Sequence, residues 1–186
     1  MKKFFILVII LILVAIGGFW FWQTKRVVTV SDVISIPMKK IVLKSSAFED
    51  SSNIPPKYTC DGEDINPPLS ISDIPEDAQS LVLIVDDPDA PMGTFCHWTV
   101  WNISPQTSEI SENSVPESAV EGKTDFGKTG YGGPCPPSGT HRYFFKVFAL
   151  DAKLNLPAGA SKAEIEKAME GHILGKAELI GLYSRP

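Results

Sequence analysis

Along this chain the apolar positions fall into short runs separated by polar stretches rich in proline and glycine, a pattern of strands and turns. Leu81-Val-Leu-Ile-Val85 is an unbroken apolar run with β-branched content, as expected of a strand buried on both faces. Cys96 to Ile103 and Tyr143 to Leu150 are also strand-like. Side chains alternate along a strand, so Tyr143, Phe145, Val147 and Ala149 share one face and Phe144, Lys146, Phe148 and Leu150 the other. His141 has the parity of Tyr143, and the two can look into one space if the strand begins that early. Trp98 and Trp101 fall on opposite faces, with core packing as the first reading for both. One helix is signalled. Ser161 can cap it, Glu164 follows three residues later as in a capping box, and Ala163, Ile165, Ala168, Met169 and Leu174 form an imperfect apolar stripe. Gly171 and Gly175 weaken or break that helix. Strands interleaved with such turns predict a mainly β protein, a β-sandwich.

The N-terminus follows a different pattern. Phe4 to Trp22 is a run of 19 apolar or glycine positions, bracketed by Lys2-Lys3 and Lys25-Arg26. At about 1.5 Å per residue it can cross a hydrocarbon core of roughly 30 Å. A cleaved signal peptide competes, since Ala15-Ile16-Gly17 offers small residues at the right spacing. The run, however, exceeds an h-region of about 7–15 residues, and cleavage there leaves Phe19-Trp-Phe-Trp22 on the mature end. Trp20 and Trp22 suit a membrane interface. The expectation is a transmembrane helix, a single-pass membrane protein with an extracytoplasmic domain, with secretion after cleavage as the alternative. Residues 1–26 are then the anchor, 27–40 a linker, and 41–186 one domain with enough chain for a core.

Charge narrows the partners. The first 26 residues contain four basic residues and no acid, so 13 of the 17 basic residues and all 22 acidic ones fall on the remainder. A domain that acidic is a poor match for nucleic acid or for an anionic membrane surface, and any anion must be met locally in a pocket. Cys60, Cys96 and Cys135 have no metal-site spacing, so neither a metal nor a cofactor is expected. Outside the cytoplasm Cys60 and Cys135 can pair, and three free thiols are the equal alternative.

Candidate chemistry gathers in two proline-stiffened loops. One is Asp86-Asp-Pro-Asp-Ala-Pro91 followed by His97-Trp98; the other is Tyr131-Gly-Gly-Pro-Cys-Pro-Pro-Ser-Gly-Thr-His141-Arg-Tyr143. Proline stiffens such a loop, and glycine lets a ligand approach bare backbone. A carboxylate beside a histidine fixes its tautomer, and two imidazoles with loop amides can hold a phosphate or carboxylate oxygen. Asp87 and Asp89 flank Pro88, where an isolated Asp-Pro-Asp is more often a simple turn. Arg142 is expected to pair with Asp86 or Asp89 and tie the loops together. His172 reads as a surface or packing residue.

Asp87-Pro-Asp-Ala-Pro91, His97-Trp98 and Gly132 to Tyr143 resemble the phosphatidylethanolamine-binding protein family, in particular its bacterial and archaeal Raf-kinase-inhibitor-like branch. Tyr58 to Pro68 and Met169 to Leu174 resemble it too, and the likeness covers roughly residues 40 to 184. It implies a Greek-key antiparallel β-sandwich with short peripheral C-terminal helices. It also implies a small anion pocket, for a phosphate, a carboxylate or a phospholipid headgroup, built from the residues matching Asp87, Pro91, His97, Gly133, Pro134, His141 and Tyr143, with Asp89 alongside. The loop Pro134 to His141 is shorter before the histidine than the mammalian form, which changes the pocket's depth. Family members also act as inhibitors of kinases or of serine proteases and a carboxypeptidase.

A hydrolase finds little support. There is no Gly-x-Ser-x-Gly elbow, Ser138 has no evident base, and a reactive Cys135 needs a cation such as His141 beside it. The expected function is a non-catalytic binding module or regulator, with inhibition of a protease as the alternative.

Overall fold

The strand Ser80–Asp87 (β5) is buried at all eight positions, which explains its unbroken apolar run: it has a neighbour on each edge and a layer on each face. In the computed structural model, which describes residues 39–186, it lies between two long antiparallel partners. These are β6 (Phe95–Ile103) and β9 (His141–Leu150). Beyond β9 runs β10 (Ile173–Tyr183), and beyond β6 the short β8 (Val120–Glu121). Two dipeptide strands, β1 (Lys39–Lys40) and β3 (Ser52–Asn53), pair with β10 in parallel and complete a seven-stranded sheet. A three-stranded sheet is formed by β2 (Val42–Lys44), β4 (Leu69–Ser72) and β7 (Glu109–Ile110).

One core joins the two sheets, with Leu43, Leu69, Ile71 and Ile110 from the small sheet against Leu83, Val85, Val100, Phe145 and Val147 from the large one. The opposite face of the large sheet is covered by α1 (Lys162–Met169), whose Ile165 and Met169 pack with Val82, Ile84 and Trp101. Trp98 belongs to the first core and Trp101 to the second, as their parity requires. The capping box is complete: the Glu164 amide donates to Ser161 Oγ at 3.3 Å, and Glu164 Oε2 accepts from the Ser161 amide at 2.8 Å.

Three expectations are corrected. The domain is mainly β with one helix, not several C-terminal helices: α1 ends at Met169, and Gly171, at φ 81°, turns the chain into β10. The large sheet is mixed rather than purely antiparallel, because β1 and β3 dock in parallel on the β10 edge. Among the described residues no helix is long and apolar enough to cross a membrane, so a transmembrane helix is not part of the fold established here. The segment on which it was predicted, residues 4–22, lies outside the described residues.

Candidate functional site

β5 ends at Asp87, β6 starts at Phe95 opposite it, and β9 starts at His141, so three strand termini open at one end of the large sheet. The Pro88–Thr94 turn and the loop Gly132–Thr140 stand over them. Between these segments lies a cleft of ≈ 540 Å³, lined by Asp87, Pro91, Phe95, His97, His141 and Tyr143 together with Met92, Asp125, Phe126, Cys135, Pro136 and Pro137.

Its polar end is built from buried groups. His141 Nδ1 donates to Asp87 Oδ2 at 2.7 Å with both side chains buried, and Asp87 Oδ1 accepts from the Asp89 amide at 2.8 Å. The carboxylate thus fixes the histidine proton on Nδ1 and leaves Nε2 for the cleft that the ring lines. His97 Nδ1 donates to the Gly132 carbonyl at 2.7 Å, since a carbonyl can only accept. Burial pushes the His97 pKa below the ordinary histidine value, against the opposing pull of Gly132 and Asp87. His97 is therefore neutral near pH 7 with a bare lone pair on Nε2, rather than an imidazolium ready to meet an anion. Its ring is boxed in by Phe95, Phe126 and Tyr143, with centroids 5.2, 5.2 and 5.1 Å away.

Tyr143 carries the least expected feature. It is 0% exposed, and its hydroxyl has no hydrogen-bond partner. Burial first, and then the negative Asp87, raise its pKa, so the phenol keeps its proton as a donor. The Asp87 carboxyl and the Cys135 amide both approach this hydroxyl closely enough to influence its proton, yet neither closes a hydrogen bond to it within normal geometry. An unpartnered buried hydroxyl costs about 1–3 kcal/mol. The remaining walls are mostly apolar or proline-rich, with the Asp125 carboxylate engaged by the Cys96 amide, and Met92, 99% exposed, stands at the rim.

Asp89, Gly133 and Pro134 lie behind the cleft. Asp89 takes a bidentate contact from Arg142, with Nη2 at 2.7 Å and Nε at 2.8 Å, and also accepts the Arg142 amide at 3.0 Å. The guanidinium holds the Asp89 pKa down to about 2. Asp86, the other partner considered for Arg142, points to the opposite face and binds Lys146 at 2.9 Å and Lys162 at 2.6 Å. The Gly133 amide donates to Asp64 Oδ1 at 2.6 Å, and the Pro134 carbonyl accepts from the Cys60 amide at 3.1 Å. These two residues weld the loop to the segment below it, and the Cys60–Cys135 disulfide finishes the weld.

The disulfide removes Cys135 as a free nucleophile, and the remaining thiol, Cys96, is buried and pushed up to about 12, chiefly by burial. Trp98 stays in the core, donating to Glu121 Oε1 at 2.7 Å. His172 meets Asp151 at 2.7 Å on the surface. The sequence reading missed the aromatic wall. Phe95 was within reach, since it has the parity of His97. Phe126 was not, because it arrives on a distant loop that Asp125 pins to β6 through a reciprocal pair of bonds with the Cys96 backbone, at 2.6 and 3.1 Å.

A mainly β frame with a ready-made cleft at its strand termini is a binding-type fold. The family model "Phosphatidylethanolamine-binding protein" matches residues 44–184, and the chain belongs to that family. It is 53% identical over 148 residues to a UPF0098 protein of Methanothermobacter thermautotrophicus, covering 77% of this chain and 98% of the relative. A UPF0098 protein of Chlamydia trachomatis is 46% identical over 148 residues, with 77% and 98% covered. Among solved structures, a phosphatidylethanolamine-binding protein homologue from Chlamydia trachomatis matches with 44% identity and a TM-score of 0.77, over 80% of this chain and 99% of that one. E. coli YbcL, described as a new member of the mammalian family, matches with 29% identity and a TM-score of 0.75, over 79% and 99%. The single-pass, extracytoplasmic assignment is corrected on the same findings. The relatives with 98% coverage are accounted for almost wholly by the matched region, and the family match begins at residue 44, so neither lends support to a membrane span.

Proposed function

We propose that the chain is a binding module whose cleft takes a small anionic group of the phosphate-monoester type, with the ligand's apolar part lying along the Phe95, Phe126 and Pro137 walls. The observation that carries this reading is the buried Tyr143 hydroxyl without a partner, beside two histidines that each present Nε2. A ligand oxygen accepting from Tyr143 supplies the missing bond, and His141 Nε2 offers a second contact, as a donor when the ring beside the Asp87 carboxylate carries both protons. His97 Nε2, bare at neutral pH, calls for a ligand that brings its own proton, as a monohydrogen phosphate ester does. Among the described residues no lysine or arginine lines the cleft, so recognition rests on these few buried groups.

The test is Tyr143→Phe, which removes one oxygen and nothing else. Calorimetric titration with phosphorylethanolamine is expected to show roughly tenfold or greater loss of affinity, the size of a hydrogen bond to a charged group. The melting temperature is expected to hold or rise, because the phenylalanine no longer buries an unsatisfied hydroxyl. Unchanged affinity with a lowered melting temperature makes Tyr143 a packing residue and removes the reading.

A further inference from the structure

One wall of the cleft has a single covalent tether, and that tether is within reach of solvent. Upstream of Cys135 the loop is heavily tied down. The Gly132 amide donates to the His97 carbonyl at 3.0 Å, Tyr131 Oη to the Tyr58 carbonyl at 3.0 Å, the Gly133 amide to Asp64 at 2.6 Å, and the Cys60 amide to the Pro134 carbonyl at 3.1 Å. Downstream, β9 takes over at His141, which pairs with Tyr183. Between these anchors, Pro136 to Thr140 make no hydrogen bond among the described residues; Pro136 and Pro137 have no N–H to offer, and Gly139 sits at φ 69°. Yet Pro136, Pro137 and Cys135 form one side of the cleft, and the Cys135 amide lies beside the Tyr143 hydroxyl. Apart from the packing of the buried Pro136, what holds this side in place is the bond from Cys135 to Cys60, with the two Cα atoms 5.4 Å apart. Both cysteines are exposed, so a thiol can approach the disulfide without unfolding the domain.

We propose that the Cys60–Cys135 disulfide is a redox latch on the cleft: its reduction by a dithiol frees the Cys135–Thr140 wall and loosens the hold on the ligand, while the β core stays folded. The chemistry is thiol–disulfide exchange. A thiolate of the dithiol attacks one cysteine sulfur, forms a mixed disulfide and expels the other cysteine as a thiolate. The second thiol of the reductant then closes on the first and expels the remaining cysteine. Two electrons and two protons pass to the protein, which ends with two thiols, and the reductant ends as its own disulfide. The effect on ligand rests on the reading of the cleft given above; the effect on the wall does not.

The experiment measures both, on the full chain before and after dithiothreitol and on the double variant Cys60→Ser, Cys135→Ser. Backbone order parameters are expected to fall from the rigid range of about 0.85 to below about 0.6 at the amides of Cys135, Ser138, Gly139 and Thr140, while hydrogen exchange still finds β5 and β9 protected. Phosphorylethanolamine affinity is expected to fall roughly tenfold and to return on reoxidation, and the serine variant to match the reduced protein and ignore dithiothreitol. Unchanged order parameters across 135–140 overturn the latch. Loss of β5 and β9 protection on reduction also overturns it, because the disulfide is then a staple for the whole domain. A freed wall with unchanged affinity overturns the ligand half. A freed wall in a protein that binds no phosphorylethanolamine in either state supports the latch on the wall and sinks the proposed function instead.

Discussion

Replacing His141 with alanine is expected to destabilise the domain by about 3 kcal/mol, and replacing it with asparagine to cost far less. The difference lies in Asp87. Its carboxylate is buried and accepts the Nδ1–H of His141 at 2.7 Å, and its other oxygen accepts from the Asp89 amide. Alanine strands that carboxylate in a dry site, and breaking a buried charged hydrogen bond costs about 2–5 kcal/mol. Asparagine returns an N–H donor at nearly the same position. At about 2–4 °C per kcal/mol for a protein of this size, the alanine variant should melt roughly 6–12 °C below wild type. Both variants lack Nε2, so both should bind phosphorylethanolamine about 10-fold or more weakly. Thermal denaturation with titration of the two variants checks this. Equal melting temperatures for alanine and asparagine mean that the Asp87 contact does not hold the strand ends together.

Gly133→Ala is expected to be comparably severe for a steric reason. A Cβ on Gly133 falls 2.7 Å from the Tyr58 carbonyl oxygen and from Asp64 Oδ1, and 2.8 Å from Thr59 Cα. Two of those atoms are backbone and cannot swing aside, so the loop must lift off the Tyr58–Asp64 segment and lose the 2.6 Å bond to Asp64. Overpacking of about 1–3 kcal/mol and the lost charged hydrogen bond together give roughly 3 kcal/mol or more. Denaturant unfolding measures the stability, and affinity should fall as well, because the lifted loop carries Cys135 and the cleft wall. A variant as stable as wild type shows that the loop does not sit where the buried glycine implies.

The parts of this fold legible in the sequence are those where side-chain size tracks burial. Leu81 to Val85 announces β5 because both its faces are covered, and the alternation in β9 places His141 and Tyr143 together because the strand does begin at His141. Ser161 and Glu164 announce α1 by local hydrogen bonding alone. β10 stayed hidden for the opposite reason. Its inward positions include Gly175, Ala177 and Gly181, and Gly181 is small because Ile54 and Phe48 press against it: a Cβ there falls 2.4 Å from Ile54 Cγ1. With glycine on the buried face, the hydrophobic alternation is erased. β1 and β3 are two residues long and leave no pattern at all.

In the site, the histidines, Asp87 and Tyr143 were legible from loop and strand parity. Their protonation was not, because it depends on partners remote in sequence. The Gly132 carbonyl, 35 residues from His97, accepts the hydrogen bond from its Nδ1–H, and burial keeps that ring neutral. The choice of Asp89 over Asp86 for Arg142 was equally closed to the sequence, since it follows from the β5 pleat, which turns Asp86 toward Lys146 and Lys162.

That protonation state gives the central claim its most direct measurement, the pH dependence of ligand affinity. In the free protein the His97 pKa lies below the ordinary value of about 6.5, and a phosphate monoester loses its second proton near pH 6. An anion seated against Nε2 needs a proton between them, supplied by either side, so the shared proton is held more tightly in the complex than in either free partner. Binding therefore takes up a proton. Affinity is full at low pH and falls, by up to tenfold per unit, as pH rises past the free values. Calorimetric titration with phosphorylethanolamine from pH 5.5 to 8 reads this directly, and a sulfate monoester, which has no titrating proton in the range, isolates the part due to the protein's own groups. The account predicts affinity falling with pH for both ligands, with the slope for the sulfate ester reduced in His97→Gln. Affinity that is flat or rises with pH contradicts an anion site at these histidines.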